Sequence, residues 1–280
     1  MHCSGNNSSA DARLLTVKAI VYKIKPIKMK TASKILLAAF ALVVIVLFFL
    51  MLALRNELGR EVIHGSGQRR TVNYEMPAFD AVEVHGQLRV SLVQTGNYRV
   101  QLTADDNILE LITSEVDRGR LRVSLDDRVA REVTIEVQLE LDVLKSLTGT
   151  GGVTLHGPET LRGGRLVHQL GTGARSTLNL EYDEVELGAQ MGSVVSLAGR
   201  AGTLSADIRN GAILEAGQFE VASAEIACRN GAVASLKVSR KLTARAGQGS
   251  VINYSGNPDQ TSFTTSRGGQ IVRNPGRGGE

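Results

Sequence analysis

The chain has 280 residues, 42% hydrophobic but only 4% aromatic, with no tryptophan and two cysteines. Its net charge of +4 is unevenly placed: the first 34 residues hold seven basic residues and one acidic residue, and the remainder holds 25 basic and 27 acidic. A nearly neutral main body removes the electrostatic case for nucleic acid as a partner, and a single cysteine in it, Cys228, excludes an intrachain disulfide framework there.

Residues 1–34 form a basic tail. Met29 opens Met-Lys-Thr-Ala-Ser-Lys, which reads as a second translation start, so residues 1–28 carry no functional reading. Ile35 to Leu54 is an uncharged apolar run. Twenty helical residues span about 30 Å, the thickness of a bilayer's hydrocarbon core. The lysines before the run and the balanced flank after it place the N-terminus in the cytoplasm and send the rest across the inner membrane. The run is longer than a signal-peptide core, and Met51-Leu52-Ala53-Leu54-Arg55 is a poor cleavage site. A retained single-pass transmembrane helix over 35–54 is therefore expected, with a periplasmic C-terminal part and a linker over 55–68.

Residues 69–145 alternate cleanly, as in Leu88-Arg89-Val90-Ser91-Leu92 and Val133-Thr134-Ile135-Glu136-Val137-Gln138-Leu139. These are strands with one wet face. Asn107 to Val116 reads as a short helical region.

Over 146–273 the chain repeats. A glycine is followed two residues on by Val153, Val194, Ile213, Val233, Val251 or Ile271, and the glycines recur about every twenty residues. The clearest copies are Ile208-Arg209-Asn210-Gly211-Ala212-Ile213 and Cys228-Arg229-Asn230-Gly231-Ala232-Val233. A strand-like unit at a fixed period is a solenoid pattern. The fold class expected is all-β: a single-stranded parallel β-helix with coils of about twenty residues, preceded by the transmembrane helix. Each glycine takes a positive φ at a corner, and the residue two positions later points inward. Two further inward columns run three and five residues before the glycine: Leu170, Ala189, Ile208, Cys228 and Ala246, then Leu187, Ala206, Ile226 and Ala244. An antiparallel β-sandwich with Asn-Gly hairpins is the alternative. The segment 274–280 reads as a disordered tail without the alternating strands of a membrane barrel.

Phe79-Asp80-Ala81-Val82-Glu83-Val84, Gly86, Val90-Ser91-Leu92-Val93-Gln94, Ala104-Asp105-Asp106-Asn107-Ile108-Leu109 and the Val116-x-x-Gly119-x-Leu121-x-Val123 strand occur in that order. This order resembles the bacterial head GIN domain family, labelled a putative autotransporter adhesin, over residues 65–272. The resemblance implies a β-helical body in the cell envelope and no established catalytic or binding residues.

No motif carries chemistry. His2, His64, His85, His156 and His168 lack metal-ligand spacing. Gly65-Ser66-Gly67, Gly149-Thr150-Gly151-Gly152 and Gly171-Thr172-Gly173 lack the lysine and following helix of a phosphate loop. Ser193 and Ser250 have no partner His or acid at defined spacing, and Cys228 reads as a small buried hydrophobe. Asp183, Glu184, Glu186, Asp207, Glu215, Glu220 and Glu225 do not share one phase. Arg209 and Arg229 do, which makes them a candidate surface anion patch unless Asp207 neutralises them. No catalytic residue, cofactor or metal is expected. The expected function is a membrane-anchored binding or adhesion-type module whose partner is an envelope protein or glycan. The alternatives are a self-assembling scaffold whose solenoid ends stack, and a β-helical carbohydrate-active enzyme.

Overall fold

The computed structural model describes residues 31–58 and 62–274. The basic tail up to residue 30 and the segment 275–280 lie outside the described residues. Two compact units are present, 1–60 and 61–280. In the first, α1 runs Thr31–Leu58. The side chains described within it, such as Phe40, Val44, Phe48 and Leu52, are exposed. Among the described residues no helix is long and apolar enough to cross a membrane.

Among its described residues the second unit is all-β apart from α2 (Asp106–Leu109). Its strands are β1 (Arg69–Glu75), β2 (Ala81–His85), β3 (Arg89–Gln94), β4 (Arg99–Asp105), β5 (Ile112–Asp117), β6 (Arg120–Leu125), β7 (Glu136–Leu141), β8 (Ser146–Thr150), β9 (Thr154–Leu170), β10 (Arg175–Ala189), β11 (Val194–Arg209), β12 (Ile213–Arg229), β13 (Val233–Gly247), β14 (Val251–Ser255), β15 (Gln260–Ser266) and β16 (Gln270–Arg273). The helical region expected over 107–116 ends at Leu109. Beyond it Ile112–Asp117 alternates and closes an antiparallel hairpin with β6 through Arg118 and Gly119, both at positive φ.

From β8 onward every pairing is parallel, each coil stacked on the one before. Val194 lies against Ile213, Ile213 against Val233, and Val233 against Val251. This is the β-solenoid, of about seven turns, and not the antiparallel sandwich. Parallel stacking reaches back to β2 and β3, which pair β8 and β9. Antiparallel β1, β4 and β5 finish that end.

Each coil rounds its first corner on two consecutive positive-φ residues, among them Asn210–Gly211 (55° and 72°) and Asn230–Gly231 (56° and 71°). This is the type I′ pairing that Asn-Gly favours. The turns stack too: Gly211 N–H donates to the Asn230 carbonyl and Gly231 N–H to the Gln248 carbonyl, each at 3.0 Å. A second corner lies within each long strand, where alternation breaks and neighbours both face out, as at Asp183–Glu184 and Gly202–Thr203.

One expectation is overturned. The residues two after the corner glycine face outward: Val194, Val233 and Val251 are half-buried and Ile213 is 37% exposed. The residue directly after the glycine turns in, and it is small: Ala174, Ser193, Ala212, Ala232 and Ser250 are all fully buried. Alternation then sends the next side chain out and the following one in, so Val195, Leu214, Ala234 and Ile252 fill the interior. Val153 is buried because Gly152, not Gly151, is in register with Gly173. The last corner glycine is Gly268, not Gly269. The β-branched residues at the outward position satisfy strand propensity on an exposed face rather than core packing. The other two columns are interior as expected: Ile208, Cys228, Ile226 and Ala244 are fully buried. Burying each Leu or Ile contributes about 1.5–3 kcal/mol.

Candidate functional site

The two sides of the coil differ in charge. On the second half of each long strand, outward residues form ion pairs between rungs. Arg165 bonds Glu186 at 2.9 Å and Arg245 bonds Glu225 at 2.6 Å. Along the corner beside it, register places Arg162, Glu181, Arg200, Glu220 and Lys237 on successive coils, in alternating sign. Arg162 bonds Glu181 at 3.0 Å, Glu181 also receives Arg200, and Glu220 receives Lys237. The Arg200 and Arg162 guanidinium groups hold the Glu181 carboxyl below its usual range. The alternation was hidden in the sequence because its members are 17 to 20 residues apart; the coil register exposes it.

The first half of the strands presents a different surface. One outward row reads Gln101, Gln138, Ser91, His156, Thr177, Ser196, Glu215, Ser235 and Asn253, each in register with the next. Eight strand spacings make it about 38 Å long. Beside its later rungs lies the aliphatic row Val194, Ile213, Val233 and Val251. Glu215 is the only carboxylate of the polar row, and it accepts from the Ser196 hydroxyl at 2.8 Å. Shallow depressions of about 360 Å³ and 400 Å³ lie on this face, the first lined by Ser91, Gln101, Gln138 and His156 together with the charged Arg89 and Glu136, the second by Thr177, Ser196, Glu215 and Ser235.

Arg209 and Arg229 are opposite one another in β11 and β12. Asp207 accepts from both, at 2.7 Å and 2.9 Å. Next to them Asn230 donates to Asn210 at 2.8 Å. The three charged groups together carry one net positive charge on a half-exposed surface.

The groups that resemble catalytic parts are interior. His168 and Ser176 are fully buried. The Leu147 carbonyl can only accept, so Nδ1–H of His168 donates to it at 3.1 Å, and Nε2 accepts from the Ser176 hydroxyl at 3.0 Å. Burial lowers the imidazole pKa to about 4 and keeps it neutral. His168 sits in the inward column five before the corner residue Gly173, a phase that the sequence already displayed. Ser250 Oγ lies 2.7 Å from the carbonyls of Cys228 and Gly247, and Ser193 Oγ bonds the Leu170 carbonyl at 3.3 Å. The Cys228 thiol is buried, and burial pushes its pKa up to about 12. His64 pairs with Glu132 at 2.9 Å and His85 with Thr150 at 3.0 Å, both at the surface. Among the described residues no group of His, Cys, Asp or Glu could hold a metal ion.

The family described as "putative auto-transporter adhesin, head GIN domain" matches residues 78–258. Solved structures share the fold. A "putative adhesin" from Bacteroides fragilis is 19% identical, with a TM-score of 0.68 over 76% of this chain and 99% of its own. A "putative lipid binding protein" from Parabacteroides distasonis is 15% identical, with a TM-score of 0.61 over 76% of this chain and 100% of its own. A "putative adhesin" from Parabacteroides merdae is 15% identical, with a TM-score of 0.55 over 76% of this chain and 99% of its own. No curated protein sequence is significantly similar to the chain.

Proposed function

This chain belongs to the head GIN domain family, and from that premise we propose that it is a membrane-anchored, extracytoplasmic recognition module without catalytic activity. The apolar run 35–54 tethers it to the inner membrane as a single span, with the basic tail in the cytoplasm and the solenoid in the periplasm. The lysine asymmetry around the run supports that orientation. The names of the fold relatives, adhesins and a lipid-binding protein, are in keeping with binding rather than turnover. So are the burial of the Ser176–His168 pair and the internal pairing of the surface carboxylates.

The observation that carries the proposal is the polar row from Gln101 to Asn253. It offers hydrogen-bonding side chains at the constant spacing of the strands, and over its later rungs it borders the uncharged aliphatic row Val194, Ile213, Val233 and Val251. Such a face fits an extended envelope protein or glycan that repeats its own polar groups. Arg209 and Arg229 would add a weak anion contact at the turn edge.

Proximity labelling from the C-terminal end in intact cells tests both parts. Labelled neighbours should be envelope components. Thr177→Arg with Ser235→Arg should remove some of them, while Ser205→Arg with Ser223→Arg, on the charged side, should not. Cytosolic neighbours would refute the topology, and an unchanged set in the first variant would refute the binding face.

A further inference from the structure

The last coil is unlike those beneath it. The interior column Leu187, Ala206, Ile226 and Ala244 continues into Phe263, and the column containing Leu242 continues into Thr261. Phe263 rests on Tyr254 with ring centroids 5.4 Å apart, yet it is 44% exposed. β15 pairs only β13, and β16 only β14. Among the described residues nothing lies beyond them, so half of their backbone N–H and C=O groups face outward. Such an edge is a template for another strand unless it is blocked.

The opposite end of the solenoid is blocked and this one is not. β1 carries Arg69, Arg70 and Glu75, and β5 carries Glu115 and Asp117. β15 reads Gln-Thr-Ser-Phe-Thr-Thr-Ser, without a charge, and Arg273, the one charge on β16, is turned back onto the Gly256 carbonyl and Asn257. It also reads nearly the same in both directions about its centre. Reversal about Phe263 sets Thr261 against Thr265, Ser262 against Thr264, and Gln260 against Ser266. A two-fold interface requires such self-complementarity, and opposed Thr and Ser side chains are favourable cross-strand pairs. The geometry agrees. A solenoid end is a step on a helical ramp, and a helical ramp has two-fold axes perpendicular to its length, so two identical ends can meet step against step.

We propose that this edge is a homodimerisation site. β15 of one copy pairs antiparallel with β15 of a second, the two-fold axis passes at Phe263, and both phenylalanines close the open interior. Because the far end is charged, assembly stops at two copies. The inference rests on the edge alone and stands whether or not the recognition face is correct.

The test uses the full chain in detergent, with Cys3→Ser to leave only the buried Cys228. A residue on a two-fold axis meets itself, so Phe263→Cys should give a covalent dimer on mild oxidation, and Ser205→Cys on the side of the solenoid should not. Adding Ser262→Lys and Thr264→Lys, both at exposed positions, should abolish the Phe263→Cys cross-link while circular dichroism stays unchanged. The proposal fails if Phe263→Cys cross-links no better than Ser205→Cys. It fails equally if the lysines leave the cross-link intact, or if the unmodified chain sediments as filaments.

Discussion

The hydroxyl of Ser176 donates to Nε2 of His168 at 3.0 Å, inside a solenoid wall that seals both from solvent. The bond joins one coil to the next and has no access to a substrate, so it acts on stability and its effect depends on pH.

Folded His168 has its pKa lowered to about 4 by burial, whereas in the unfolded chain it titrates near its ordinary value of about 6.5. Between these limits the unfolded state binds a proton that the folded state refuses. Stability is therefore full above about pH 6.5 and falls as the pH drops toward 4, by on the order of 3 kcal/mol. Urea denaturation from pH 7 to 4 should show this loss, and His168→Leu should flatten that part of the profile.

The inward and outward rows make a sharp contrast between neighbours in sequence. Leu214 is 1% exposed and Ile213 is 37% exposed. Leu214→Ala should cost about 2–5 kcal/mol, and Ile213→Ala under about 1 kcal/mol. Equal costs by chemical denaturation would contradict the register.

The corner pair Asn230–Gly231 sits at φ of 56° and 71°. Asn230→Gly should be nearly neutral. Asn230→Val should destabilise by about 1–2 kcal/mol, because a β-branched residue resists the left-handed region. Thermal melts of the two variants check the difference.

Asp207 already occupies both guanidinium groups of the candidate anion patch. Arg209→Ser with Arg229→Ser should change stability by under about 1 kcal/mol, as expected for exposed ion pairs. Asp207→Asn should release the pair and strengthen phosphate binding, measured by chemical-shift titration, over the unmodified chain.

The Cys228 thiol, held protonated by burial, should resist iodoacetamide in the folded protein and react once it is denatured. Peptide mass mapping distinguishes it from Cys3.

The repeat, the corner glycines and two interior columns were legible in the residues because a coil of nearly constant length returns each side chain to the same environment. The direction of the glycine-plus-two residues was not legible. A β-branched residue suits an interior and an outward strand position alike, and only the two-residue turn, with the small residue after it, sets the parity. Double glycines at 151–152 and 268–269 hid the phase by one residue in two coils.

The sequence by itself determined the coil: its period, its turns, its apolar columns and the uncharged run before it, since each depends on local spacing. Only the tertiary structure decided which distant side chains meet. It aligned Arg162, Glu181 and Arg200 into an ion-pair ladder, Gln101 through Asn253 into one polar row, and among the described residues left β15 with no strand beyond it at the end of the stack. Those relationships depend on the exact offset between coils, which backbone pairing and side-chain packing choose together, and no single segment of the chain contains it.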